Sequence, residues 1–192
     1  MKKAFTLLFI LSSAQLVAQE QSWPLKVGLY APFAIHPGIK IGTDLGVKSW
    51  QTEDGSEIRS ESLYASPEFS VFRRFGIHTN YLINADVGYQ RKSNQRKLYA
   101  STALGLGFLM RDQIVGTTID LSSGNTLAKE KEWRRYFLPT LNFEFGKNTA
   151  RKMGWYSKVS YGRLISSERE DSGFFALEFG MRWVWRNTTN EN

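Results

Sequence analysis

After roughly the first two dozen residues, hydrophobic and polar positions alternate with a period of two along most of the chain. Leu25, Val27, Leu29, Ala31 and Phe33 share one face of an extended segment. Ile39, Ile41, Thr43, Leu45 and Val47 share the next, after the turn His36-Pro37-Gly38. The rhythm returns over 63–71, 81–89, 98–110, 137–145, 155–161 and 175–185. Alternation of this kind marks strands with one apolar and one polar face. Turn residues separate them, among them Asp54-Gly55, Phe75-Gly76, Ser93-Asn94, Lys147-Asn148 and Ser172-Gly173. Eight strands are therefore predicted. Pro32 interrupts the first, and Pro67 and Pro139 remove ladder donors from two others, so local bulges are expected at the latter pair. The long connection from Arg111 to about Arg134 holds Asp120-Leu121-Ser122-Ser123-Gly124-Asn125, a turn suited to the tip of a small hairpin.

The polar face decides which way the strands point. It carries Lys26, Lys40, Asp44, Lys48, Glu68, Asp86, Glu144, Lys158, Glu178 and Arg182, five cations and five anions, with Tyr, Ser, Asn and Gly between them. A soluble ligand-carrying barrel would turn the apolar face inward. A membrane barrel turns it toward lipid and seals the ionic groups inside. The predicted fold is thus all-β, an eight-stranded antiparallel up-and-down transmembrane β-barrel. At this strand number side chains fill the interior, and paired charges in it would form a polar plug rather than a pore. Tryptophan gives an independent indication. The chain has six, all near predicted strand ends. Trp23, Trp133, Trp155, Trp183 and Trp185 keep the outward phase of an aromatic girdle, while Trp50 needs a bulge or an inward role.

The N-terminus changes the picture further. Met1-Lys2-Lys3, an apolar run from Ala4 to Val17 and then Ala18-Gln19-Glu20 form a secretory signal with cleavage expected after Ala18. The expected divisions are a signal peptide over 1–18, the barrel over 19–186 and a polar tail over 187–192, with location in the outer membrane. No later stretch is apolar and long enough to span a bilayer as a helix. There is no cysteine, so packing and hydrogen bonding must hold the exported chain together. With both termini periplasmic, the Arg111–Arg134 connection lies outside the cell.

The net charge is +7 and the pI is about 9.6. Nucleic acid is an unsuitable partner for an exported chain, and the basic clusters read differently. Arg73, Arg74, Arg111, Lys129, Lys131, Arg134 and Arg135 lie near the predicted outer rim, where cations beside an aromatic belt suit lipopolysaccharide phosphates. Arg91, Lys92, Arg96, Lys97, Arg151 and Lys152 fall at the opposite turns. Only two histidines exist, His36 and His78, both expected at the surface. They are far apart in sequence and lack neighbours with ligand spacing, so no metal site is expected. Gly105-Leu106-Gly107 precedes no helix and is not a dinucleotide fingerprint, and no cofactor is expected.

His36-Pro37-Gly38-Ile39-Lys40-Ile41-Gly42 and Ala103-Leu104-Gly105-Leu106-Gly107-Phe108, together with the Ala18-Gln19 signal end, resemble segments of the small outer-membrane β-barrels of Gram-negative bacteria, in their Bacteroidota form. The resemblance spans the mature chain. It implies insertion by the barrel-assembly machinery, which reads an aromatic last strand such as Phe179, Met181, Trp183 and Trp185; the polar tail after Arg186 departs from that pattern. It implies outer-membrane lipid, lipopolysaccharide or a larger membrane complex as partners. Some barrels of this kind are lipid A hydrolases with a lipid-facing His-Ser-acid triad. His78-Thr79-Asn80 is similar to the setting of such a histidine, with threonine where serine is expected. The preferred reading is non-enzymatic, a structural or interaction role, and the hydrolase is the alternative.

Overall fold

The computed structural model describes residues 24–54, 57–75, 77–93, 95–119, 126–148, 153–166 and 171–184. The predicted signal peptide, Trp23, Trp185, the Asp120–Asn125 tip and the polar tail lie outside them. Among the described residues there are nine strand segments: β1 (Pro24–Pro32), β2 (Gly38–Thr43), β3 (Leu45–Asp54), β4 (Glu57–Arg74), β5 (His78–Ser93), β6 (Leu98–Ile119), β7 (Thr126–Asn148), β8 (Met153–Leu164) and β9 (Ser172–Val184). Each pairs antiparallel with its sequence neighbours, except that β2 and β3 lie end to end and both pair with β4. They form one barrel strand interrupted at Asp44. β1 pairs with β9 as well as β2, from Pro24 opposite Val184 to Pro32 opposite Ala176, and so closes the ring. The predicted eight-stranded antiparallel barrel is the fold observed. Closure leaves no unpaired edge within the wall, the condition for a sheet to sit in lipid.

The faces divide as the alternation requires. Phe143 and Leu177 are 53% and 41% exposed, while their neighbours Glu144 and Glu178 are 6% and 4% exposed. The apolar side chains line the outside, which removes the ligand-carrier arrangement.

The prolines behave differently from expectation. Pro32 ends β1 without shortening it, because it sits at the last pair with β9. Pro67 and Pro139 carry no bulge on β5 or β6, where the register runs through Pro67 opposite Ala85 and Leu106 opposite Pro139. Instead each faces a gap on its other side. Pro67 lies opposite the break between β2 and β3, and Pro139 lies in the gap between the Thr140–Gly162 pair and the isolated bridge of Phe137 with Ile165. Neither proline makes a ladder pair on that side.

The bulges fall elsewhere: between Gly46 and Lys48, between Ile114 and Gly116, and between Thr118 and Ile119. The last two lie in a β6–β7 extension. β5 stops pairing with β6 at His78 opposite Gln113, yet β6 and β7 continue to Ile119 opposite Thr126. The expected long connection is therefore a two-stranded hairpin rising above the wall. We call this the hairpin end.

Candidate functional site

The lumen gathers the chemistry of the chain in two layers, with a third group of polar side chains at its mouth. The layer nearer the chain termini is ionic. Lys26 from β1 reaches Asp44 at 2.8 Å, Glu144 at 3.1 Å and Glu68 at 3.5 Å. Lys40 from β2 reaches Glu178 at 2.7 Å and Glu68 at 3.1 Å. Lys158 from β8 reaches Asp86 at 2.6 Å and both Glu68 oxygens at 2.7 and 2.9 Å. Glu68 is the hub, meeting lysines from three strands. Arg182 meets Asp44 at 3.1 Å and stacks over Tyr99. The Tyr99 hydroxyl donates to Glu144 and the Tyr156 hydroxyl to Glu178, at 2.8 and 2.5 Å, while Asn84 donates to Asp86. Nine of the ten residues predicted to face the lumen lie together, all buried.

The tenth, Lys48, does not. The bulge after Gly46 shifts β3 by one residue, so Lys48 pairs with outward-facing Leu63 and is exposed. One slip exchanges the faces of every later residue. The same shift carries Trp50 outward, where its Nε1 donates to Glu61 at 2.7 Å and its ring lies 6.2 Å from Tyr89. With Lys48 outside, four lumenal cations face five carboxylates.

Glycine makes room at the tightest point. A Cβ on Gly105 would strike the Asp86 carboxylate and the Thr140 hydroxyl.

Above the ionic layer, toward the hairpin end, Tyr30, Phe72, Leu82, Leu109, Tyr136, Leu138, Leu164, Phe174 and Ala176 form a continuous apolar cluster inside the barrel. The alternation pattern alone did not indicate it. Its signal is a local loss of alternation: Val71-Phe72, Tyr81-Leu82-Ile83, Phe108-Leu109-Met110 and Phe174-Phe175 are apolar on both faces.

At the mouth beyond this cluster stand His36, His78, Asn80, Arg74 and Arg111. The histidines, expected at the surface, turn inward. His36 is buried in the β1–β2 turn and meets His78 edge to face at 5.6 Å between ring centroids. Burial, then the nearby charges of Arg74 and Arg111, hold the His36 ring below its ordinary pKa. His78, above the level of the Tyr81–Trp133 pair, is pushed down to about 4, first by burial and then by Arg111, His36 and Arg74.

The rim cations divide. Arg73, Lys131 and Arg135 hold the outward phase, with Lys131 at 3.3 Å from Asp112 and Arg73 over Phe75. Arg111 and Arg134 turn inward: Arg111 stacks on Tyr136 and donates to Asn80, and Arg134 pairs with Glu132 at 2.6 Å. The side chain of Lys129 is outside the described residues.

Aromatic contacts occur at both ends of the wall. Tyr81 and Trp133 lie 6.0 Å apart at the hairpin end, and Trp155 packs on Phe145 and Phe179 at the other. Trp183 is half-buried close by, with Met153 opposite it across the β8–β9 ladder. Among the described residues no three His, Asp or Glu side chains come together to hold a metal.

The wall, the closure and the inverted polarity define a β-barrel of the outer-membrane type. No family model and no curated protein matches the chain. Among solved structures, the chain is similar to the outer membrane enzyme PagL, with a TM-score of 0.50 at 10% identity, covering 83% of this chain and 98% of that one. It also matches the beta domain of the Bordetella autotransporter BrkA, with a TM-score of 0.34 at 9% identity over 84% of this chain and 97% of that one. A third match is CarO2 of Acinetobacter baumannii, with a TM-score of 0.26 at 10% identity over 86% of this chain and all of that one. The PagL likeness concerns the fold alone, and the other two carry no argument.

Proposed function

We propose that this chain is an exported, integral outer-membrane protein whose barrel is a closed anchor rather than a conduit. Its working surface is the hairpin end, where it contacts lipopolysaccharide or a larger membrane complex, without catalysis. One observation carries this reading: the lumen is filled by an ionic layer and, above it, by an apolar one, both buried. A solute would have to break charge pairs and displace packed rings in turn. What remains for function is the outside. There the outward Arg73, Lys131 and Arg135 flank Trp133 and Tyr81 on neighbouring strands, cations beside an aromatic level suited to phosphorylated glycolipid.

The alternative, a hydrolase acting on lipid A, has less support. The candidate base His78 points into the mouth, and Thr79 holds the adjacent outward position. PagL is an outer membrane enzyme, but the shared feature is the barrel.

The test is expression in a Gram-negative host with membrane fractionation, planar-bilayer recording and co-purification. The expected outcome is recovery in the outer membrane, no conductance steps, and capture of lipopolysaccharide or partner proteins that is lost when the hairpin over 114–131 is replaced by a tight turn. Discrete conductance from the purified barrel would overturn the closed-anchor reading. Loss of lipid A acyl chains that depends on His78 would overturn the non-enzymatic one.

A further inference from the structure

The mouth of the barrel is lined by buried polar atoms that lack hydrogen-bond partners. His36 is 7% exposed, and neither of its ring nitrogens has a hydrogen-bond partner. Nε2 of His78 is likewise buried and unpartnered. Asn80 is fully buried; its Oδ1 accepts from Arg111 Nε at 2.9 Å, which leaves the amide Nδ2 with no acceptor. Natural proteins rarely leave such groups unsatisfied, and a cluster of them points to partners from outside the chain.

Most of the chemistry at the mouth favours one kind of occupant. A neutral imidazole keeps one N–H beside its acceptor nitrogen, a primary amide offers two N–H groups, and the guanidiniums of Arg74 and Arg111 add positive charge. Those two positive charges oppose a metal ion at the imidazoles. The inward carboxylate of Glu132 is engaged by Arg134. An oxyanion supplies acceptors and negative charge together. The groups come from the β1–β2 turn, β4, β5 and β6 and meet at one mouth.

The turn that holds His36 is strained to do so. Phe33 and Ala34 are non-glycine residues with φ of 54° and 58°, in the left-handed region. Phe33 is held there by ring contacts with Phe174 at 5.7 Å and with His36 at 5.6 Å. Strain of this kind persists where the surroundings over-determine it, as at ligand sites.

We propose that the mouth is a phosphate-binding site formed by His36, His78, Asn80, Arg74 and Arg111. The phosphate is either free or carried on a glycolipid headgroup. The site stands on the lumenal geometry and does not rest on the outer-surface role proposed above.

The test uses the full mature chain refolded in detergent micelles, with inorganic phosphate titrated at neutral pH and followed by calorimetry and by the imidazole NMR signals of His36 and His78. A parallel arm places the protein in nanodiscs containing lipid A with or without its phosphates. The expected result is saturable binding that perturbs both histidines. Arg111→Gln and Asn80→Ala should weaken it about tenfold or more, as loss of a charge-assisted or buried hydrogen bond does. Arg74→Gln, at an exposed position, should weaken it without risk to folding. Lys147→Ala, on the outer wall at the opposite end, should leave it unchanged. Binding of inorganic phosphate supports the site with a free anion as ligand. A response only to phosphorylated lipid A supports it with a headgroup as ligand. No response to either, equal affinity in all variants, or tight zinc binding at the two histidines with phosphate inert would overturn the proposal. If phosphate binds while hairpin replacement leaves partner capture intact, the site stands and the surface role falls.

Discussion

The two halves of the lumen solve one problem by opposite means. Near the chain termini the interior is filled with four cations and five carboxylates, all buried and most in contact with more than one partner. Toward the hairpin end it is filled with Tyr, Phe and Leu side chains that touch one another. A buried ion is tolerable only when its partners stand at the right distance, and removing one strands the others. An apolar filling asks only for volume and accommodates change of shape at constant size. The ionic half therefore specifies one arrangement of strands, and the apolar half seals it. Predictions that separate the two follow from this difference, each read as folding free energy from urea titration in lipid vesicles.

The largest effect is expected at Lys158, whose ammonium lies within 3 Å of Glu68 and Asp86. Lys158→Met leaves two carboxylates short of a cation and should cost about 3–5 kcal/mol. Adding Glu68→Gln should recover part of that loss, since the stranded charge is then removed. Non-additivity is the signature of the network. If the double variant loses the plain sum, the ionic layer acts as separate pairs and the comparison weakens.

Leu138 tests the other half. It is fully buried in the apolar cluster, and Leu138→Ala should cost about 2–5 kcal/mol through lost contacts and a cavity. Leu138→Met should cost less than about 1.5 kcal/mol, because volume is conserved. Lys158→Arg, equally conservative on paper, should be poorly tolerated because the planar guanidinium does not fit a site built around a point charge. Equal tolerance of the two swaps would erase the distinction between the halves.

The mouth gives a smaller, pH-dependent effect. His36 and His78 are both held below the ordinary histidine value, so the unfolded chain binds more protons than the folded one as pH falls. Their contribution is present above about pH 6.5 and is lost as pH falls toward the folded value, about 4 for His78. The groups acting on both are Arg74 on β4 and Arg111 on β6, and His36 acts on His78 as well. Since His78 is only part-buried, the difference between wild type and a His36→Phe/His78→Gln variant should stay under about 1 kcal/mol over this range. A variant that loses stability as steeply as wild type would exclude the histidines as the cause.

Much of this architecture was legible in the chain. Alternation located the strands, and the charges opposite the apolar positions marked the lumen, because an ionic side chain among greasy neighbours has one tolerable direction. The apolar lumenal layer was not legible by the same rule. At Leu82 and Leu109 both faces are apolar, so period two gives no contrast there. The mouth was hidden for another reason: His36 lies in the β1–β2 turn and His78 at the start of β5, and only the pairing of both β2 and β5 with β4 brings their rings together. Proline was over-read, since a missing N–H needs only a gap on one side.

The smallest effect tests the least visible feature. Counting by twos places Lys48 in the lumen, yet the extra residue after Gly46 turns it outward beside Leu63, at the level of Tyr89. From there its stem can lie along the apolar wall while its ammonium reaches water. Lys48→Ala should therefore change stability by no more than about 0.5 kcal/mol, as surface substitutions do, against several kcal/mol for Lys158. Deleting Val47 should also be tolerated, because it removes only the extra residue and leaves Lys48 opposite Leu63 and Trp50 opposite Glu61. A large loss from Lys48→Ala would show that the bulge does not turn this residue outward and that Lys48 is a fifth lumenal cation.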